Sequence, residues 1–433
     1  MANKLIVISI DSLQTTDLHY LRNLPSFGRI LGKCALVKNI REVYPTLTYP
    51  IHTTIITGVH PDTHGITHNQ QPSVTQENLD WSIMGTNWNW YSDYVKVPSL
   101  MDAANEKNLV TASVMWPVMG GQKPKHNLAE IWPNSHESME DTFRRACTPD
   151  VYQAYFEKYL LPFDWEHRTD MDGYSIPIAA DIIRRYNPDF MLIHSICLDH
   201  CRHEFGDEGI EINQCLDRVD GIVGTLLQAA EEIGTADRTN FVILGDHGQI
   251  NIQGVFNLNV ILKEKGFINT DEQGNVTEYR AYSFSAGFST HIILSDAEDE
   301  ELKEQVYFAL LEIKKEYGNY MGRIFNSSEA AREEGLSGGF TFVVESVDGI
   351  IFDNQVNGEA VAKAKKGRAL YRGMHGHHPS KGPKPPFLAF GPDIKAGTVI
   401  ESGDMLDECP TLARLLNLTL SGMEGKYFDI FME

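Results

Sequence analysis

Four short, mostly apolar runs, each closing on a polar residue or glycine, set the architecture. They are Leu5–Ile10 before Asp11, Phe190–Ile196 ahead of Asp199, Phe241–Leu244 before Gly245-Asp246-His247, and Phe387–Phe390 before Gly391. A strand covered on one face alternates apolar and polar residues, whereas one covered on both is apolar almost throughout. The runs therefore predict buried parallel strands. Between the second and third, Ile212, Cys215, Leu216, Val219, Ile222, Val223, Leu226 and Leu227 recur at helical spacing, with Gly234 as a C-terminal cap. Strand, helix and strand in alternation predict an α/β fold, a mostly parallel central sheet with helices on both faces. Two regions exceed such a core. Residues 80–165 are rich in Trp, Pro and Asn, including Trp81, Trp88, Trp90 and Trp116. Residues 255–370 hold an acidic helix from Asp296 to about Tyr317, between β-like stretches at Thr290–Leu294 and Phe340–Val344. The expected division is a catalytic core, 1–254 and 371–433, with an inserted α+β lid at 255–370.

With 37 basic and 59 acidic residues the formal net charge is −22. A surface of that sign repels phosphate backbones, so no nucleic-acid polymer is expected as partner. No stretch approaches the roughly 20 apolar residues that cross a bilayer, and no membrane partner is expected. The opening run is shorter than the roughly 7–15 residues of a signal-peptide core. Six cysteines, Cys34, Cys147, Cys197, Cys201, Cys215 and Cys409, show no CxxC pair. They read as reduced thiols in a cytoplasmic protein.

Ligands of open α/β sheets gather at the carboxyl ends of strands. Asp11 lies there, as do Asp199 and His203, and Asp246 and His247; His375 lies in Gly373-Met374-His375-Gly376. Three carboxylates and three imidazoles suit a pair of zinc-type sites. Taken alone, Asp11 reads equally well as a helix N-cap. His200 and His377 read as neighbours of ligands, and His60 and His64 as loop braces. A nucleophile is offered by Thr48 in Tyr44-Pro45-Thr46-Leu47-Thr48-Tyr49-Pro50-Ile51-His52. Pro50 suits the first turn of a helix and Gly58 its end. Free N–H groups there favour an anion, and a metal-bound Thr hydroxyl can attack phosphorus. Local sequence alone leaves open that Thr48 is only a cap.

Together these pieces resemble the nucleotide pyrophosphatase/phosphodiesterase family of the alkaline phosphatase superfamily. The resemblance rests on Pro45-Thr-Leu-Thr-Tyr-Pro-Ile-His52 through His60-Pro-Asp-Thr-His-Gly-Ile66, Asp199-x-x-x-His203-x-x-Gly206, Gly245-Asp-His-Gly248 and His375-Gly376. It implies two Zn2+ per chain, other divalent transition metals being alternatives, and a phospho-threonine intermediate on Thr48. Asp11, Thr48, Asp246 and His247 would hold one ion; Asp199, His203 and His375 the other. Asn69 would hydrogen-bond a non-bridging phosphoryl oxygen, and Tyr49 would stack on a nucleoside base, with Trp132 opposite. The implied substrate is a small phosphodiester or nucleotide. Departures fall at Ile51, Arg202 and Ile196-Cys197-Leu198, none of them an expected ligand. Trp88, Trp90 and Tyr91 either line the cleft or pack the insertion. A phosphonoacetate hydrolase is the alternative; it needs a cationic grip on a carboxylate, with Lys96, Lys123 and Lys125 placed to supply one. A catalytically silent binding protein is the third reading.

Overall fold

The structure, a computed structural model, describes residues 3–71, 88–121, 123–133, 137–165, 170–363 and 372–432. Its main sheet contains β1 (Lys4–Ile10), β2 (Ala35–Val37), β3 (Thr111–Val114), β4 (His126–Leu128), β5 (Phe190–Ser195), β6 (Thr239–Gly245), β7 (Phe387–Phe390) and β8 (Val399–Ile400). Their spatial order is β8-β2-β7-β6-β1-β5-β3-β4. β1 runs parallel to β5 and β6, with Ile8 beside Ile193 and Ile243. Leu5 and Val7 join one apolar cluster while Ile6, Ile8 and Ile10 join another. Alternate residues thus feed two cores on opposite faces, which is why the run is apolar without a break.

One strand departs from expectation. β7 is antiparallel to both β6 and β2. The chain reaches it from the His375 loop, which sits at the carboxyl edge of the sheet, so the strand has to run back down.

Two helices carry site residues, α1 (Thr48–Thr57) and α2 (Cys197–Phe205), and α3 (Ile210–Glu232) packs on α2. Gly58 closes α1 in the left-handed region at φ 72°. Past Gly254 a four-stranded antiparallel sheet orders Ala281–Ser285, Ser289–Leu294, Phe342–Ser346 and Met321–Asn326. Helix Glu300–Glu316 lays Leu302, Val306, Leu310 and Ile313 into a cluster with Tyr282, Ile292 and Val344. The Asp299 carboxylate caps this helix, accepting from Leu302 N–H at 2.9 Å. The expected lid end at 370, like Trp81, lies outside the described residues. No helix among the described residues is long and apolar enough to cross a membrane.

The expectation of six reduced thiols fails for two of them. Cys201 on α2 and Cys215 on α3 form a disulfide, Cα to Cα 6.8 Å. They lie 14 residues apart and meet because the Gly206–Gly209 turn folds one helix back on the other. No short spacing motif announces such a pair. The other four cysteines are free and buried.

Glu42, fully buried, pairs with Lys384 at 3.0 Å. Burial nevertheless pushes its carboxyl up to about 7. The folded chain then holds a proton that the unfolded chain has released between about 4.5 and 7. Stability should fall as pH rises through that window, by on the order of 3 kcal/mol. Denaturant melts of the wild type and of Glu42→Gln check this. The substitution should flatten the profile there, and an unchanged slope would assign the effect elsewhere.

Candidate active site

The expected ligands converge from segments far apart in sequence. Asp11 follows β1 and Asp246-His247 follow β6, neighbours in the sheet. Asp199 and His203 stand one turn apart on α2, which leaves the end of β5. His375 arrives on the loop before β7. Two donor groups form. In one, His247 Nε2 lies 3.4 Å from Asp11 Oδ1, 3.3 Å from Asp246 Oδ2 and 3.2 Å from Thr48 Oγ1. In the other, Asp199 stands 3.2 Å from His203 Nε2 and 3.8 Å from His375 Nε2. The His247 and His375 rings stack at 3.9 Å, joining the two groups. Ligand atoms of Asp11, Asp199 and His247 also approach within 4.8 Å of one another, so Asp199 borders both.

The surroundings prepare these donors for cations. His203 Nδ1 faces Gly373 O at 2.8 Å and His375 Nδ1 faces Thr46 O at 2.9 Å. Each carbonyl takes the Nδ1 proton and leaves the Nε2 lone pair toward the site. Burial pushes the His247 and His375 imidazoles down to about 3, so both are neutral, the form that binds a metal. Burial and the charges of Asp199 and Asp246 push the Asp11 carboxyl well above the usual carboxylate range. Asp246 is raised too, chiefly by burial. Asp11 Oδ1 and Asp246 Oδ2 are buried without hydrogen-bond partners. Carboxylates so placed ionise readily only beside a positive charge, and the donor set fits a pair of divalent transition metals. Against the pull of burial, His203, His375 and His247 hold Asp199 below its usual range.

Thr48 is the first residue of α1 and its side chain caps nothing; Leu47 holds the N-cap position. Thr48 is 7% exposed, and its hydroxyl meets His247 instead. Asn69 Oδ1 accepts the Tyr49 N–H at 2.9 Å, which leaves the Asn69 amide nitrogen to donate to an anion at the helix start. Tyr49, the expected stacking residue, is 0% exposed; its ring meets that of Trp88 at 5.1 Å and joins the core. Trp88 and Trp132, 4.9 Å apart and partly exposed, form the aromatic wall here. Trp90 is buried against Trp132, and Tyr91 lies under Arg145 at 4.9 Å.

His64 is buried, bonded to Thr54 Oγ1 at 3.1 Å, and His60 pairs with Glu424. His200 is exposed, and His377 is buried edge-on against Phe288. Lys123 pairs with Asp102 at 3.0 Å, Lys125 donates to Asn108 O at 3.3 Å, and Lys96 covers Gly65. None of the three is placed among the metal-type donors.

Sequence reading missed four supporting residues. Ser12 N–H donates to Asp246 Oδ1 at 2.8 Å, and Gln249 donates to Asp199 Oδ1 at 2.5 Å. His52 and His194 are wholly buried behind the donors. A histidine inside an otherwise apolar strand, as at 194, was the available signal. Gly376 fixes the His375 loop at φ 84°, where an added Cβ would lie 1.6 Å from Ala286 O. Gly376→Ala should cost roughly 3 kcal/mol and displace His375. A thermal melt with bound-metal analysis checks this; a melt within 1 °C of wild type (far under the several degrees that roughly 3 kcal/mol implies) would contradict it.

Sheet and donors together define an α/β protein of the alkaline-phosphatase-like fold, with metal-type donors gathered at the strand ends. The chain belongs to the type I phosphodiesterase / nucleotide pyrophosphatase family, whose model matches residues 5–362. It is 27% identical over 247 residues to human ectonucleotide pyrophosphatase/phosphodiesterase family member 1, covering 56% of this chain and 23% of that protein. It is 26% identical over 252 residues to a venom phosphodiesterase of Macrovipera lebetinus, covering 57% and 26%. A human bis(5'-adenosyl)-triphosphatase shares 24% over 254 residues, 57% of this chain and 47% of its own. The chain thus spans about a quarter to a half of these relatives. Murine ectonucleotide pyrophosphatase / phosphodiesterase 5 superposes with TM-score 0.68 at 18% identity, over 99% of this chain and 100% of the other. Its inactive form in complex with AMP gives 0.67 at 17%, with the same coverage.

Proposed function

We propose that the chain is a metal-dependent phosphodiesterase or nucleotide pyrophosphatase, working through a covalent phospho-threonine on Thr48. The observation that carries this is the Thr48 hydroxyl, at the first turn of α1 and 3.2 Å from His247 Nε2, beside the carboxylates and imidazoles of Asp11, Asp246, His247, Asp199, His203 and His375. Asp11, Thr48, Asp246 and His247 would hold one divalent ion, zinc by donor chemistry, and Asp199, His203 and His375 a second; such ions would supply a lowered hydroxyl pKa and an offset for charge on the departing oxygen.

The chain's own residues do the rest. Thr48 Oγ1 gives up its proton to solvent and attacks phosphorus; the Thr48 O–P bond forms, the P–O bond to the ester or anhydride oxygen breaks, and that oxygen leaves with the bonding electron pair. Water then adds to phosphorus, the Thr48 O–P bond breaks, one water proton returns to Thr48 Oγ1 and the water oxygen stays on the released phosphate. The Asn69 amide and the free N–H groups of α1 take up charge on the non-bridging oxygens. A neutral amide rather than a guanidinium suits a diester, whose transferred group carries less charge than a monoester. The Trp88–Trp132 wall offers apolar surface to a nucleoside or other leaving group. The substrate class follows relatives whose names denote nucleotide pyrophosphatases and a dinucleoside triphosphatase.

The test is the zinc-loaded protein on p-nitrophenyl esters of phosphate, thymidine monophosphate and phenylphosphonate, and on phosphonoacetate. Diester turnover well above monoester turnover is expected. Cleavage of phosphonoacetate alone would move the assignment to that hydrolase, and no turnover at full loading would make the chain a binding protein.

A further inference from the structure

Behind Asp11 lies a buried polar chain that no metal contact requires. The two Asp11 oxygens are divided: Oδ1 faces His247, and Oδ2 lies 3.3 Å from His194 Nε2. The far side of the His194 ring, Nδ1, lies 3.2 Å from Met115 O and 3.4 Å from Glu130 Oε2. Glu130, itself 8% exposed, lies beside the Tyr49 hydroxyl. The sheet builds this row. β5 places His194 level with Ser9 of β1, and Glu130 follows β4 two strands further on. His52 completes the layer: its ring is 4.4 Å from that of His194, and it bonds Ser9 Oγ and Thr48 O at 2.8 Å each.

An apolar residue would serve better at position 194 if packing were its only task, since a buried imidazole costs free energy unless its nitrogens are engaged. Nδ1 here meets Met115 O, and Nε2, which has no hydrogen-bond partner, lies within ion-pair distance of the carboxylate of an expected metal ligand. We propose that His194, backed by Glu130, is a positioning residue that holds Asp11 Oδ2 so that Oδ1 is presented to the ion beside Thr48. The proposal rests on the two-metal reading above. Groups in this position typically change metal affinity by about 10- to 100-fold when removed. The ion held by Asp199, His203 and His375 has no such link and should not respond.

The test is zinc titration of the full chain against a chromophoric chelator, for wild type, His194→Phe, His194→Gln and Glu130→Gln, with circular dichroism as the folding check. In His194→Phe one of two sites should weaken by about 10- to 100-fold while the other stays unchanged. His194→Gln keeps a donor toward Asp11 and should recover most of that loss. The zinc needed for half-maximal turnover should rise, with KM for the diester unmoved at saturating zinc. Two wild-type-strength sites in His194→Phe would overturn the proposal. Should that variant not fold, Glu130→Gln decides: a several-fold loss at the same site supports the strut, and unchanged affinity removes it. A wild type that binds no zinc at all would instead sink the two-metal reading.

Discussion

Thr48→Ala should retain the fold and bound zinc yet lose diester turnover by about 10⁴-fold or more. Only Oγ1 and one methyl are removed, and the hydroxyl caps nothing at the start of α1. Asp11, Asp246 and His247 remain to hold the neighbouring ion. What disappears is the atom that bonds phosphorus, and no other hydroxyl is recorded against His247 Nε2 among the described residues. Thr48→Ser restores an Oγ and should recover part of the rate. Steady-state kinetics on the thymidine monophosphate ester, with zinc content measured in parallel, decide it. Activity within tenfold of wild type in a zinc-loaded alanine variant would show that a different group attacks.

Asp246→Asn should separate metal binding from folding. Asp246 Oδ1 accepts from Ser12 N–H and His247 N–H, contacts that an amide oxygen retains. The charge aimed into the site is lost, so zinc affinity should drop by about 100-fold and turnover by at least about 10³-fold. The sign of the stability change should depend on metal. Burial first, and then Asp199, raise the Asp246 carboxyl pKa. A raised acid opposes folding once pH exceeds its folded value, so removing the charge should raise the melting temperature of the chelator-treated protein. With zinc at 100 times Kd, the wild type gains about 2.7 kcal/mol per site that the variant forgoes. The order of melting temperatures should therefore reverse on adding zinc. Wild type melting above the variant in both states would refute the electrostatic account.

The sheet and the gathering of Asp and His residues at its edge were legible because both leave local marks. A run covered on two faces must be apolar, and the candidate Asp and His residues stand where those runs end. The direction of β7 left no such mark: Phe387–Phe390 reads alike up or down, and only the position of the His375 loop settles it. The contact of Tyr49 with Trp88 left no mark either, because the two stand far apart in sequence and meet only in the folded chain. The Cys201–Cys215 bond was hidden because its partners meet through helix packing. His52 and His194 passed unread for a related reason. Neither stands at a strand end, and their worth lies in contacts with Asp11, Thr48 and Ser9 that only the folded chain creates.

The central claim is that distant carboxylates and imidazoles assemble two metal sites around one threonine. Elemental analysis of the purified wild type and of Asp199→Ala tests it most directly, since Asp199 borders both donor groups. About two zinc per chain in the wild type, dropping by one or more in the variant, is the expected result. A wild type that turns over diesters with no bound transition metal, or a variant that keeps the full complement, would contradict it.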